Sequence, residues 1–191
     1  MLQGRVVRLK PNRTKIIAAI HHVLLGAQKR GQRPSQYQLA KALFLADRSH
    51  LNRFGRPITF DNYVAMNHGP VPSTAYDLLK RSPEESGNER PALPWRRHRD
   101  AASPSKYLYE AEPFDSADYL SVSDQECLDD GLSVVLGMSF GQLRKLTHED
   151  IAYILAWGDG AQQAVPMDLA LMFETHDPEA AEQIAFASEH A

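Results

Sequence analysis

Asp47 is the first residue whose setting raises a question of chemistry. At about 100° per residue it falls near the middle of an apolar helical stripe formed by Leu39, Leu43, Phe44, Leu51 and Phe54. A lone carboxylate there costs several kcal/mol unless it is hydrogen-bonded or protonated, so donors must reach it from elsewhere in the chain. The first reading is a structural anchor that fixes a neighbouring loop; a catalytic acid or metal ligand is the second. His50 lies at the edge of the same face. With Asp47, His68 and the pair His21-His22, a metal site can be imagined. No His-x-x-x-His pair and no His-Glu-x-x-His signature supports it, so neither a metal nor a cofactor is expected.

Other segments invite the same weighing. His68-Gly69-Pro70-Val71-Pro72 reads as a stiff, surface-facing turn rather than a phosphate cradle, because two prolines remove backbone donors that a phosphate needs. In Leu146-Thr147-His148-Glu149, Thr147 is expected to cap the following helix. Trp95-Arg96-Arg97-His98-Arg99 interleaves an aromatic with cations and could touch nucleic acid, though a solvated loop explains it as well. No Gly-x-Ser-x-Gly elbow is present, and the single cysteine, Cys127, sits in an acidic helix start that disfavours a thiolate. Catalytic residues are therefore not assigned.

The elements that would position these residues follow from periodicity. Helices are expected over Thr14–Arg30, closed by Gly31, and from Ser35-Gln36-Tyr37-Gln38, a capping box, to Gly55. Tyr63–Met66 reads as a strand, and Pro72 as the first position of a helix carrying Tyr76, Leu78 and Leu79. Residues 82–105, rich in proline and charge, read as a mobile loop. Lys106–Ala111 and Tyr119–Ser121 read as two strands. Ser123 to Glu126 reads as a second capping box, opening a helix with Leu128, Leu132, Val135 and Leu136 inward. Short helices follow over Phe140–Leu146 and Ile151–Trp157, and Asp177-Pro178 opens a last one with Ile184 and Phe186. The fold class is α+β and predominantly helical, with about six to seven helices around a small antiparallel sheet. Residues 1–191 read as a single domain whose tail, 161–191, is the least defined part.

The chain's 191 residues are 43% hydrophobic and 24% charged, enough apolar surface for a core. One cysteine excludes a disulfide framework and fits a reducing, cytoplasmic setting. No segment approaches the apolar length that spans a bilayer, so no membrane partner is expected. The net charge of −3 is polarised: residues 1–56 carry +11, residues 57–107 carry +1 and residues 108–191 carry −15. Such a split marks either halves that offset each other's field or a surface for a charged partner.

The run Lys41-Ala42-Leu43-Phe44-Leu45-Ala46-Asp47-Arg48, then His50-Leu51, Phe54 to Thr59, Tyr63 to Met66, His68 to Pro72 and Tyr76 to Leu79, resembles the Panacea domain of SocA-like antitoxins, also met as phage-associated GepA-type proteins. Leu143 to Glu149, with Trp157 beyond, is similar to that domain's second hallmark. The resemblance covers roughly residues 14–160. It implies an antitoxin of a type II toxin–antitoxin system that neutralises a cognate protein toxin by direct contact, with delivery of the toxin to a cellular protease as a variant. It implies no catalytic residues. Asp47 enters as a structural anchor, and Tyr63, His68, Gly69, Pro70, Thr147 and His148 as partner-binding candidates. Two other readings come from the residues themselves. One is a DNA-binding regulator, since the two basic N-terminal helices joined by Gly31-Gln32-Arg33-Pro34 admit a helix-turn-helix and hence an operator as partner. The other is an enzyme built on Asp47, His50 and His68, which would need a pocket collecting all three.

Overall fold

The computed structural model describes residues 6–81 and 92–190. Its elements run α1 (Arg13–Lys29), α2 (Gln36–Phe54), β1 (Tyr63–Met66), β2 (Gly69–Pro72), α3 (Ser73–Lys80), β3 (Trp95–Asp100), β4 (Ser103–Ala111), α4 (Val122–Gly137), α5 (Phe140–His148), α6 (Ile151–Trp157), β5 (Val165–Pro166) and α7 (Pro178–Glu189), a mostly helical α+β fold. Among the described residues the strands make two small antiparallel sheets, one of order β2-β1-β5 and one of β3-β4.

Helix α2 is the centre. Its start is the reciprocal Ser35–Gln38 capping box and its end is Gly55 in the left-handed region, φ 75°. Leu39, Ala42, Leu43 and Ala46 join one core cluster with Ile16, Ile20 and Leu24 of α1 and Leu128, Leu132 and Val135 of α4. Phe44 and Leu51 face a second cluster with Tyr63, Ala65, Tyr153, Met167, Leu169 and Ile184. Small residues let α4 approach closely, and a Cβ on Gly131 would stand 2.6 Å from the Ala42 carbonyl oxygen. Phe54, expected inside, is 46% exposed; it occupies the last turn of α2, against the His50 ring and beneath the Arg53 guanidinium.

Several local expectations are corrected. The stretch 82–105 is not a loop throughout: Trp95 onward forms β3 and Ser103 onward begins β4, while 82–91 lie outside the described residues. Charge and proline hid the hairpin because its arginines find their partners only across it. Arg96 pairs with Glu112 at 2.6 Å, and the Arg97 and Arg99 guanidiniums lie over the Tyr107 ring. β3, not Tyr119–Ser121, is the partner of β4. Residues 117–119 are a 3-10 turn, and Ser121 caps α4 with Asp124 returning the bond, rather than Ser123 with Glu126. The turn after β1 is only Asn67 and His68. Gly69–Pro72 is a strand buried along its length, and it accepts two prolines because it is a sheet edge. Pro72 is the N-cap of α3, not its first residue. Asp150, not Thr147, caps α6. At the other end, α7 buries Ala181 and Ile184, and the Lys10 backbone N–H donates to Ser188 Oγ.

Candidate functional site

The loop after α2 is organised by Asp47. Its Oδ1 accepts from the backbone N–H groups of Ile58 (2.8 Å) and Thr59 (3.0 Å). Its Oδ2 accepts from the Tyr63 hydroxyl (2.8 Å) and the Thr59 hydroxyl. The carboxyl is fully buried, and burial raises its pKa to about 6 although all four hydrogen bonds favour the anion. Asp61 works beside it, accepting the N–H groups of Thr74 (3.0 Å) and Ala75 (2.8 Å) at the start of α3. Between these two anchors Phe60 is held at φ 53°, a left-handed conformation that costs a bulky residue roughly 1–3 kcal/mol.

His50 belongs to a different cluster. Its Nδ1 meets the Arg56 carbonyl at 2.7 Å, while its Nε2 meets both Ser123 Oγ (3.0 Å) and Asp124 Oδ1 (3.2 Å). A nucleophile relay needs acid and hydroxyl on opposite ring nitrogens, and here they share one. Burial alone would raise Asp124, but Lys15 (2.9 Å), the Ser121 N–H and Arg56 (2.9 Å) hold it below the usual carboxylate range. This network ties α1, α2 and α4 together. Cys127 is buried, which pushes its thiol pKa up. Asp47, His50 and His68 thus have separate sets of partners and do not form one pocket.

A third arrangement lies at the other end of α2. Lys41 is completely buried, and its Nζ donates to the Pro70 carbonyl at 2.8 Å. Burial lowers its pKa to about 7. The hallmark segments meet here. Gly69 has φ 96°, and a Cβ on it would stand 2.8 Å from Lys41 Nζ, 2.8 Å from Thr147 Oγ1 and 3.3 Å from the His148 ring. Only glycine fits both the angle and the space. Thr147 is locked by donating to the Leu143 carbonyl at 3.0 Å. His148 packs on Tyr153, whose hydroxyl donates to the Met66 carbonyl and so ties α6 to β1. Burial lowers the pKa of His148, and the neighbouring charges of Arg144 and Lys41 lower it further.

A groove opens over this junction. One cavity of about 240 Å³ is lined by Gln36, Tyr37, Lys41, Met66 and His68 among others. A second, of about 640 Å³, shares Gln36, Tyr37 and His68 and extends to Lys106, Met138 and Phe140. Phe140 is 55% exposed, yet its ring lies against Tyr37 (4.7 Å between centroids) and His68 (5.6 Å). Buried polar atoms here lack partners: Gln36 Nε2 and Tyr37 Oη carry no hydrogen bond, nor does His148 Nε2.

The partner-binding candidates therefore separate. His68 is exposed and lines both cavities, and His148 is half-buried, whereas Tyr63, Gly69, Pro70 and Thr147 are buried and line neither cavity. Tyr63 serves the Asp47 anchor, and Gly69, Pro70 and Thr147 pack around Lys41. Lys41 and Tyr37 were not singled out from the sequence. The available signal was a lysine inside the run Leu39-Ala40-Lys41-Ala42-Leu43-Phe44, where no solvated face accounts for it. Helix α2, which a helix-turn-helix would lay in a DNA groove, has ten of its 19 residues buried and is enclosed by α4 and β2.

The fold thus has a central helix that carries a buried aspartate, held by the loop after it, and a buried lysine, over which two distant segments of the chain meet. The chain belongs to the family described as antitoxin SocA-like, Panacea domain, whose sequence signature matches residues 39–152, well over half of the chain. That stretch includes Lys41, Asp47, Gly69 and Thr147 but not α1 or α7. Membership places the chain among antitoxins, whose counterpart is a toxin. No curated protein and no solved structure matches it. No helix among the described residues is long and apolar enough to cross a membrane.

Proposed function

We propose that the chain is the antitoxin of a type II toxin–antitoxin pair and neutralises a cognate protein toxin by direct binding. The observation that carries this reading is that both family segments, 67–72 and 143–149, meet around Lys41 beside a groove with exposed aromatic surface and unmet donors. Such a surface suits a polypeptide partner. The test is co-expression with the adjacent gene. That gene should arrest growth when expressed alone, and this protein should restore growth and co-purify with its product. An adjacent gene that is harmless, or a product that is neither rescued nor bound, overturns the reading. Delivery to a protease is a variant of the same function, supported by the family resemblance alone. It expects the toxin's half-life to shorten severalfold when this protein is present, and an unchanged half-life leaves blocking by contact.

A further inference from the structure

The groove over Lys41 is chemically one-sided. Its walls hold spare donors and cations. Lys41 Nζ has three protons when charged and one acceptor, the Pro70 carbonyl. Gln36 Nε2 and Tyr37 Oη have none. The Arg144 guanidinium adds positive charge close to Tyr37 and His148. The nearest acid in sequence, Glu149, pairs instead with Lys145 on the solvent side, where both are largely exposed. Beyond the Pro70 bond the Lys41 ammonium has, among the described residues, only the Tyr37 ring, 5.2 Å away, and a set of unmet donors is satisfied by an acceptor carrying negative charge.

The shape narrows the source of that charge. The cavity beside Lys41, about 240 Å³, suits a single side chain, and the adjoining cavity of about 640 Å³ has room for the residues on either side of it. Met66 and Val71 supply apolar wall for its stem. The adjoining cavity is open and offers Met138 and Phe140 to an apolar neighbour.

We propose that this groove receives an acidic side chain of the toxin, its carboxylate meeting Lys41, Tyr37 and Gln36 under the field of Arg144, while an apolar residue beside it lies on Phe140. The inference rests on the antitoxin reading and names the chemistry of its contact. The cost of burying Lys41 in the free protein is then recovered in the complex, where the carboxylate pairs the ammonium.

The test uses the full chain and the toxin that passes the co-expression assay. Lys41→Met removes the ammonium at nearly constant volume; Arg144→Glu reverses an exposed charge that no fold contact requires. Each is expected to weaken toxin binding by about tenfold or more, and Lys41→Met to do so with an unchanged or raised Tm. A scan of the toxin's Asp and Glu residues to Asn and Gln should find one position that reproduces the loss and adds nothing further on top of Lys41→Met. Leu155→Asp, on the exposed apolar face of α6, should leave the affinity within about twofold, and so should inorganic phosphate at about 10 mM. The proposal is overturned if both groove variants bind within about twofold of wild type, or if Leu155→Asp alone abolishes binding. It is also overturned if phosphate displaces the toxin and no acidic position matters, which would make the groove a phosphate site. If the wild-type protein itself binds no toxin, the antitoxin reading fails first.

Discussion

Lys41→Met should make this protein more stable at neutral pH and less stable at high pH. In the folded chain the Lys41 pKa is lowered from 10.5 to about 7 because the ammonium is buried. Between those values the unfolded chain holds a proton that the folded chain does not, so wild-type stability rises as pH increases from 7 to 10.5. At about 1.4 kcal/mol per pH unit the full span amounts to about 5 kcal/mol, nearly all of it still a penalty at pH 7. Methionine removes the penalty but also removes the bond to the Pro70 carbonyl, leaving a buried acceptor unpaired at a cost of about 1–3 kcal/mol. The variant is therefore expected to be about 2–3 kcal/mol more stable at pH 7 and about 1–2 kcal/mol less stable near pH 10. Urea unfolding of both proteins at pH 7, 8, 9 and 10 measures this. At pH 7 the midpoint should move up by about 1 M for an m value of roughly 2 kcal/mol/M. Taking the difference between the two proteins cancels every other group that titrates in the same range. A difference that stays constant from pH 7 to 10, or a variant already weaker at pH 7, refutes the claim that the lysine is held at a cost.

At the opposite end of α2 the sign reverses. The Asp47 pKa stands at about 6 against 3.8, so the folded chain holds the extra proton, and relative to Asp47→Asn the wild type should lose about 3 kcal/mol as pH rises from about 4 to about 6. Asp47→Ala strands the amides of Ile58 and Thr59 and should cost at least about 2 kcal/mol at pH 5 by chemical denaturation. Gly131→Ala drives a methyl to 2.6 Å from the Ala42 carbonyl oxygen and should cost about 2–3 kcal/mol, whereas Gly141→Ala, on α5 with open space around it, should gain about 0.5–1 kcal/mol; equal Tm values for the pair would contradict the close α2–α4 crossing. Gly69→Ala meets both a positive φ and the Lys41 and Thr147 side chains, and a loss below about 1 kcal/mol in thermal melts would mean that the junction yields more easily than its geometry implies.

Helix content and the main boundaries were legible because they depend on neighbours in sequence. The Ser35–Gln38 box, the left-handed Gly55, the apolar spacing of α1 and α4 and the Asp177-Pro178 start are all local chemistry, and the chain shows them where the pattern placed them. Family membership was also readable, since the ordered segments from Lys41 to Leu79 and Leu143 to Glu149 are properties of the sequence. The buried position of Asp47 followed from helical phase alone. Its partners did not, because nothing local says that Thr59 and Tyr63 fold back onto it.

What the tertiary structure decided is where long-range pairing outweighs local preference. The segment from Trp95 to Asp100 carries charges and lies among prolines, so it reads as a loop; pairing with β4, the Tyr107 ring on that strand and Glu112 just beyond it make it a strand. Thr147 has the chemistry of a cap, yet the turn after α5 gives that role to Asp150 and leaves the threonine packed against Gly69. The groove is the clearest case. Lys41, Gly69 and His148 come from three distant parts of the chain, and only their packing buries the ammonium, leaves its neighbours short of acceptors and so gives the surface its sign.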